Sequence, residues 1–302
     1  MSVVEFKDVT RRYGRKTVAL SGINFSLAQG TVCGLVGRNG AGKTTMLRMI
    51  PALLHPTAGT VRVFGLDPWQ AQEQVKRQLG YLSENEVFPP RVRIRDVTDL
   101  CASVYPGWDA GMAAELMGQF GLEPTRRLGR LSKGQKRQVG LLCAVCHKPR
   151  LLVLDEPAGG LDPVARREFL EVVIELLAAA GSTVLFSSHI LSDVDRIADR
   201  LAILHEGRLL LDRPVDQLKE NICRVELGED LPPGTDAALA AHRDCLRAEQ
   251  DNGRVKATLL CGPDGAADLL RSALPQLPAA RVMSTVVLSL EDIFIELTGG
   301  KA

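Results

Sequence analysis

The chain has 302 residues, and its 37 basic and 36 acidic side chains leave a formal net charge of +1 at pH 7. This balance gives no indication of a nucleic-acid or anionic-membrane partner. The 45% hydrophobic and 24% charged content is typical of a globular protein, and the length favours one large domain with a smaller one. No apolar run approaches the roughly 18 to 20 residues that a membrane helix requires.

The N-terminal segment and the cysteines both favour the cytoplasm. MSVVEFKDVTRRYG lacks the charged start, apolar middle and cleavage site of a secretory signal. Seven cysteines, an odd number spread over a long chain, indicate reduced thiols rather than a disulfide framework. CAVCH, from Cys143 to His147, matches a haem-attachment pattern. It lies in an apolar helical run, and haem attachment requires an exported chain, so a helix is the favoured interpretation.

The first half of the chain alternates strand and helix patterns. SVVEFKDV, INFSL and TVCGLVG predict strands separated by glycine turns. GKTTMLRMI then has apolar residues at helical spacing, and TVRVF returns to a strand. A polar helical stretch is predicted from Pro68 to about Gln78, and a mostly helical region from Arg93 to Lys148.

A glycine-rich segment separates the third strand from the first helix and fits the pattern G-x-x-x-x-G-K-[ST]. Glycines let several backbone N–H groups point inward around anionic oxygens, and the helix dipole adds positive potential. Lys43 can reach the β- and γ-phosphates of a nucleotide, and the Thr44 hydroxyl can ligate Mg²⁺. The predicted loop residues are Gly37, Arg38, Asn39, Gly40, Ala41, Gly42, Lys43, Thr44 and Thr45.

From Arg150 onward, continuous apolar strands alternate with amphipathic helices, which indicates a parallel sheet covered on both faces, a doubly wound α/β core. After about residue 220 a loop-prone stretch, GEDLPPGTDAALAAH, precedes the strands RVKATLLC and ARVMSTVVLSL around the helix GAADLLRSAL. We therefore expect a nucleotide-binding domain over residues 1–220 and a small α+β accessory domain over residues 221–302.

Three polar residues follow apolar strands in this second region. Asp155 follows LLVL and should emerge at the crevice where parallel sheets bind ligands, where it can hold Mg²⁺ through water. Glu156 can polarise an attacking water, with an acidic helix cap as the alternative. His189 ends a strand expected beside that of Asp155. A histidine there is usually structural, but a γ-phosphate contact is favoured here.

The segments RLSKGQKRQ, LLVLDEPAGGLDP and SSHI follow the phosphate loop in order. Together they resemble the nucleotide-binding subunits of ATP-binding cassette transporters over about residues 1–220. The resemblance implies a P-loop NTPase core with a parallel sheet, an antiparallel β subdomain and a helical subdomain. LSKGQ resembles the family signature, in which glycine is more usual at the position of Lys133. The nucleotide-binding residues implied there are Ser132, Lys133, Gly134 and Gln135.

The resemblance also assigns roles to single positions. Tyr13 resembles the aromatic residue that stacks on adenine, with a strand-end tyrosine as the alternative. Asp162 resembles part of a loop that touches the second cassette. Glu84 stands where the family usually has a metal-contacting glutamine, so the implied metal ligands are Thr44, Glu84 and Asp155. Basic residues around the signature either steer ATP or form a solvated face: Arg126, Arg127, Arg130, Lys136 and Arg137.

The implied function is that of an ATP-hydrolysing transporter subunit that uses ATP and Mg²⁺. Two copies, or this chain and a homologous cassette, would dimerise head to tail, with ATP between the phosphate loop of one and the signature of the other. Free N–H groups at the start of the Ser132 helix suit an anion. A separate membrane permease would dock on the surface after Glu84, over residues 85–105, which places the subunit on the inner face of the membrane.

Glu84, Lys133 and the C-terminal LSLEDIFIELTGG together resemble cassettes of bacterial exporters. For the last segment, an amphipathic helix that packs on its own domain is the alternative. A different class, soluble cassette ATPases that act on nucleic acid or ribosomes, shares the same chemistry. Its chromosome-type members insert long coiled coils, whereas the interval from Lys43 to Asp155 is short and lacks sustained heptads. A GTPase would carry an Asn-Lys-x-Asp segment, which the sequence lacks.

Overall fold

The structure, a computed structural model, describes residues 2–14, 16–85, 87–161, 166, 169–173, 182–228, 231–251, 253–275 and 282–299. It forms two compact units, Met1–Asp212 and Arg213–Ala302. The division therefore falls earlier in the chain than residue 220. Within the described ranges, every helix is too short or too polar to cross a membrane.

The first unit combines an α/β core, an antiparallel sheet and a group of helices. Its elements are β1 (Ser2–Tyr13), β2 (Thr17–Ala28), β3 (Val32–Val36), α1 (Lys43–Met49), β4 (Ala58–Val63), α2 (Gln72–Lys76), β5 (Leu79–Leu82), α3 (Ile94–Val104), α4 (Ala110–Gln119), α5 (Lys133–Val145), β6 (Leu151–Leu154), β7 (Thr183–Ser188), α6 (Leu191–Ile197), β8 (Arg200–His205) and β9 (Arg208–Pro214). The predicted helix from Pro68 begins later, because Asp67 accepts hydrogen bonds from the backbone of Trp69 and Gln70 and holds a turn there.

A six-stranded sheet with the order β5-β6-β7-β3-β8-β9 forms the centre of this unit. The pairs β5–β6, β6–β7, β7–β3 and β3–β8 are parallel, which confirms the predicted doubly wound core. Strands β6 and β7 are buried along their whole length, as their continuous apolar character predicts. Because β6, β7 and β3 are adjacent and parallel, the residues that follow them meet at one edge of the sheet.

The antiparallel sheet has the order β2-β1-β4. Its apolar side chains share one core with α1 and the central strands, and Phe6 and Phe25 meet there edge to face with ring centroids 6.3 Å apart. Helices α3 and α5 pack together over a separate small core of Ile94, Leu128 and Val139 with neighbouring leucines. The region from Arg93 to Lys148 is mostly helical, as predicted.

The second unit is an α+β unit with its own core. Its elements are α7 (Val215–Asn221), β10 (Cys223–Leu227), α8 (Thr235–Ala240), β11 (Cys245–Asp251), β12 (Arg254–Leu259), α9 (Pro263–Ala273), β13 (Val282–Val287) and α10 (Leu290–Thr298). The sheet is antiparallel with the order β11-β12-β10-β13. Alternate residues of β10 and β12 are buried against the helices, so a period of two organises this core.

Candidate active site

The loop between β3 and α1 lies tightly against neighbouring backbone. A Cβ atom on Gly37 would lie 2.4 Å from the carbonyl oxygen of Leu204, so only glycine fits at this approach. Gly42 has a φ of +109°, and a Cβ atom there would lie 2.6 Å from the carbonyl oxygen of Ala19. These two glycines allow the loop to curl at the carboxyl end of β3, directly before the first turn of α1.

A cavity of about 280 Å³ opens beside this loop. It brings the predicted loop together with two carboxylates that lie far away in sequence, Glu84 and Glu156. Its lining is Ala19, Arg38, Asn39, Gly40, Ala41, Gly42, Lys43, Thr44, Thr45, Glu84 and Glu156. The backbone of the loop, a buried amine and two carboxylates thus line one space, and these are the groups that bind a metal-bound polyphosphate.

Lys43 is buried, with only 6% of its surface exposed. Its Nζ donates a hydrogen bond of 2.5 Å to the carbonyl oxygen of Gly37. The same atom lies 3.0 Å from Oε1 of Glu156, and both side chains are almost fully buried. A buried charge needs a partner, so in this state the amine and the carboxylate neutralise each other.

Asp155 is fully buried directly after β6. Its Oδ1 accepts hydrogen bonds from the hydroxyls of Thr44, at 3.1 Å, and Ser187, at 2.9 Å. Its Oδ2 is buried and has no hydrogen-bond partner among the residues that the structure describes. Burial raises the pKa of Asp155, and the nearby charges of Glu84 and Glu156 add to this, against the two hydroxyl hydrogen bonds, which lower the pKa.

Glu156 is held in place from several directions. Its Oε2 lies 2.8 Å from Nδ1 of His189, the residue that follows β7. Its backbone N–H donates to the Ser187 hydroxyl at 2.8 Å, and its φ is +49°, an uncommon backbone conformation for glutamate. Ser187 therefore connects the backbone of Glu156 to the carboxylate of Asp155. Sequence reasoning missed this role, although the two serines of SSHI at the end of an apolar strand were a signal.

Arg137 on α5 is the second residue whose role the sequence did not reveal. It is buried, with 3% exposure, so it does not belong to a solvated face. Its guanidinium donates hydrogen bonds to the backbone carbonyls of Glu156 and Glu84. The side chain thus joins α5 to both acidic segments of the cavity.

The signature segment forms the start of α5. The hydroxyl of Ser132 accepts from the backbone N–H of Gln135 at 3.1 Å, and the Gln135 side chain accepts from the backbone N–H of Ser132 at 3.2 Å. This capping box fixes the helix terminus. Lys133 lies across Gly160, since a Cβ atom on Gly160 would be 2.9 Å from its Nζ.

The structure does not bring every predicted site residue to the cavity. Its described lining includes none of Ser132, Lys133, Gly134 and Gln135. Tyr13 ends β1, is 43% exposed and carries the Arg11 guanidinium 4.8 Å above its ring, so its role on adenine stays a prediction. Asp162 lies outside the described residues.

The donor set beside Lys43 fits Mg²⁺. The unpartnered Oδ2 of Asp155 is buried next to the Thr44 hydroxyl, and Glu84 lines the same cavity. Within the described ranges, no group of three or more His, Cys, Asp or Glu side chains could hold a metal by itself. Mg²⁺ is commonly held by one or two protein carboxylates together with phosphate oxygens and water, and Asp155 and Glu84 could supply those carboxylates.

Comparison with known proteins agrees with this site. The family model described as ABC transporter matches residues 20–159. The Nod factor export ATP-binding protein I of Burkholderia orbicola is 34% identical over 307 residues, which cover 98% of this chain and 97% of that protein. The chain belongs to the family of ABC transporter ATP-binding proteins. It is thus a cassette that binds ATP and an ATPase subunit of a transporter.

Further relatives support the same assignment. The cassette is 33% identical to the bacitracin transport ATP-binding protein BcrA of Bacillus licheniformis, with 72% of each chain covered. A solved ATP-binding subunit of an ABC transporter is 30% identical with a TM-score of 0.65, covering 72% of this chain and 92% of that one. These relatives give no support to a soluble ATPase acting on nucleic acid or ribosomes. A solved ATP-binding cassette described as dimeric and bound to ADP and phosphate shares the fold, with a TM-score of 0.63 at 24% identity over 70% of this chain and 98% of that one.

Proposed function

We propose that this cassette hydrolyses MgATP at sites shared between two copies and thereby drives export through a separate membrane subunit. The observation that carries the proposal is that Lys43, Thr44, Asp155, Glu156 and His189 come together at the ends of three adjacent strands. Export is supported by similarity to a protein named for Nod factor export.

The phosphates of ATP would lie along the loop that follows β3 and replace Glu156 as the ionic partner of Lys43. The amine is already buried and aimed into the cavity, where Glu156 is its present ionic partner. A polyphosphate offers more negative charge than one carboxylate, so the amine gains by the exchange. The same exchange releases Glu156 for another task.

Thr44, Asp155 and Glu84 would hold Mg²⁺, which would supply positive charge to neutralise the phosphates of ATP when bound. The Thr44 hydroxyl would turn its oxygen from Asp155 toward the ion. Glu84 would approach from the opposite acidic segment, which Arg137 holds through the backbone carbonyl.

Once released from Lys43, the carboxylate of Glu156 would accept a proton from the attacking water. His189 lies against its other oxygen at 2.8 Å and fixes its orientation. A base held near the γ-phosphate contributes typically 10² to 10⁴-fold to such a reaction. His189 is half-exposed on its side chain, and we assign it a γ-phosphate contact in the closed site.

The remaining predicted residues would act across the dimer interface. The start of α5 lies outside the described lining of the cavity, and we propose that it binds the nucleotide of a second copy through Ser132, Lys133, Gly134 and Gln135. Tyr13 would stack on adenine, and Asp162 would contact the second cassette. With two half-sites of this kind, bound ATP links the two subunits. The dimer opens again when the ATP is hydrolysed.

The first test is Glu156→Gln in the full chain. We expect ATP binding to persist, hydrolysis to fall roughly 10² to 10⁴-fold, and gel filtration with ATP to show a dimer, because the base is lost and the loop is intact. Lys43→Ala should lose both nucleotide binding and the dimer. Glu115→Gln, at an exposed position on α4, is the matched control and should behave as wild type. A Glu156→Gln protein that stays monomeric with bound ATP would refute the shared site.

The membrane subunit would dock at a second cavity of about 290 Å³. Its lining includes Leu53, Phe88, Cys101 and Tyr105, and Leu53 is 58% exposed. Further large apolar side chains exposed in this part of the chain are Val87, Leu100 and Val104. Exposed apolar surface of this kind is typical of an interaction site, and this groove overlaps residues 85–105.

A cassette bound to such a partner would lie on the inner face of the membrane, where ATP is supplied. We assign nucleotide binding to the first compact unit, Met1–Asp212, and treat the second, Arg213–Ala302, as an accessory domain. The cargo would be selected by the membrane subunit.

A further inference from the structure

Two cysteines that nucleotide chemistry does not use line the groove, the second cavity described above. Cys101 lies on α3 and Cys143 on α5, and both line the cavity. The two helices pack against each other, so the two thiols lie at one shared cavity. Both residues are partly exposed, and all seven cysteines of the chain are unbridged thiols.

The surroundings of the pair favour reaction at Cys101. The hydrogen bond from Cys143 lowers the pKa of the Cys101 thiol, although partial burial acts against it. Tyr105 and His147 stack beside the pair with ring centroids 4.1 Å apart and complete that part of the cavity wall. A nearby third thiol, Cys146, is fully buried, and burial raises its pKa to about 12.

We propose that Cys101 and Cys143 form a reversible oxidation site, at which a peroxide entering the groove converts the two thiols into a disulfide that links α3 to α5. A disulfide requires two Cα atoms within about 7 Å of each other, a separation that cysteines on two helices packed against each other can reach. The open cavity gives the oxidant access, which a pair enclosed in the core would lack.

The chemistry balances with peroxide as the only co-reactant. The Cys101 thiolate attacks one peroxide oxygen, an S–O bond forms, the O–O bond breaks, and hydroxide leaves and is protonated to water. Cys143 then attacks the sulfur of the Cys101 sulfenic acid, the S–S bond forms, and the hydroxyl leaves as a second water. Two thiols lose two electrons and one peroxide gains them. A dithiol reductant reverses the linkage by exchange.

The chain contains an internal control in its second unit. Cys223 and Cys261 likewise influence each other's pKa, but Cys223 is fully buried and its pKa is raised to about 12, chiefly by burial. Proximity alone therefore predicts two disulfides, whereas access and thiolate character together predict only one.

The test treats the purified full chain with a few equivalents of hydrogen peroxide and then blocks the remaining thiols for peptide mapping by mass spectrometry. We expect a Cys101–Cys143 linked peptide that dithiothreitol removes, with Cys223 and Cys261 still reduced. If no such linked peptide forms, or if the Cys223–Cys261 pair links equally fast, the proposal is overturned.

Two variants distinguish the two roles of Cys143, as the second sulfur of the disulfide and as a hydrogen-bond donor to Cys101. Cys143→Ser removes the resolving sulfur and keeps a hydrogen-bond donor, so Cys101 should stay reactive toward iodoacetamide and stop at the sulfenic acid with peroxide. Cys143→Ala removes the donor as well, and alkylation of Cys101 near neutral pH should slow roughly three- to tenfold. Equal alkylation rates in the two variants would refute the role of the hydrogen bond, and the wild-type map does not depend on how either variant folds.

A further measurement, which rests on the proposed function, compares disulfide formation in the free cassette and in its complex with the membrane subunit. If the groove holds that subunit, the disulfide should form more slowly in the membrane-bound complex than in the free cassette. A disulfide that forms in the free chain without such protection would support the oxidation site and contradict the docking proposal, so the two outcomes are distinguishable.

Discussion

The two carboxylate oxygens of Asp155 have different environments. Oδ1 accepts both hydroxyl hydrogen bonds, from Thr44 and Ser187, whereas Oδ2 is buried without a partner in the described part of the chain. Asparagine keeps an oxygen for the two hydroxyls and removes the charge. Asp155→Asn therefore tests the charge of this residue without disturbing its known hydrogen bonds.

We expect Asp155→Asn to raise the melting temperature of the nucleotide-free protein near pH 7. Because burial raises the pKa of Asp155 in the folded state, its stabilising contribution is complete below the unfolded pKa and disappears as pH rises through the folded pKa. At neutral pH the ionised carboxylate thus destabilises the folded state relative to the unfolded chain. Each kcal/mol relieved should add about 2–4 °C. Thermal scans from acidic to neutral pH measure the gain, which should shrink as pH falls.

Asp109 provides a control of opposite sign. Asp109 caps α4. The hydrogen bond from the backbone N–H of Met112 lowers the pKa of Asp109 most, and the hydrogen bond from Lys148 lowers it further. Asp109→Asn should therefore lower the melting temperature at neutral pH and have less effect at acidic pH.

A loss of stability in Asp155→Asn at neutral pH would contradict the conclusion that the ionised Asp155 carboxylate destabilises the nucleotide-free protein. Addition of MgATP should stabilise the wild type and not Asp155→Asn.

The sequence was sufficient to predict where Lys43, Asp155 and His189 lie, because each follows an apolar strand of a parallel sheet. The strand order β6-β7-β3 brings those strand ends together, and it confirms that β7 lies beside β6. The sequence could not show that Glu156 pairs with Lys43, since that contact depends on side-chain placement at the edge of the folded sheet.

At the scale of elements, the Arg137 side chain connects α5 to the acidic segments of the cavity. Arg137 donates to the carbonyls of Glu156 and Glu84, so the helix that begins at the signature is joined to the segments after β6 and β5. A signal for this burial was present in the sequence. Arg137, Leu141 and Ala144 are spaced at i, i+4 and i+7, which places the arginine on the apolar face of the helix.

We expect Arg137→Met to destabilise the cassette by about 2–4 kcal/mol, because methionine fills the space of the stem and leaves two backbone carbonyls without their donor. Urea unfolding measures this loss. ATP turnover should fall beyond what the lost folded fraction accounts for, since both acidic segments lose their common anchor. Arg130→Met, at an exposed position just before α5, should leave both readings unchanged. Equal effects in the two variants would remove the anchoring role.

At the scale of the whole molecule, the sequence predicted a helical region from Arg93 to Lys148 but not the groove within it. The groove exists because α3 and α5 pack together beside the end of α1 and β5, and such packing cannot be read from the periodicity of either helix. The contact between Cys101 and Cys143 arises in the same way. The expected α+β pattern of the accessory region depends on local strand and helix patterns and was therefore easier to predict.

We expect Leu53→Glu to reduce the fraction of cassette that sediments with membranes carrying its permease by roughly tenfold, because a carboxylate in the groove resists desolvation. Leu53 is already 58% exposed, so folding and the ATPase activity of the free cassette should be preserved. Leu210→Glu, on β9 and outside the described lining of the groove, is the matched control. Equal sedimentation of the two variants would place the permease elsewhere.

The buried contact between Lys43 and Glu156 also bears on how a turnover ends. When ADP departs, the amine does not face an empty space, because the carboxylate can return to it. The Glu156 carboxylate thus competes with the phosphates of ADP for the Lys43 amine. This competition weakens the binding of ADP and returns the empty subunit to its starting state. Calorimetric titration of Glu156→Gln with ADP would show this as a tighter complex than that of the wild type.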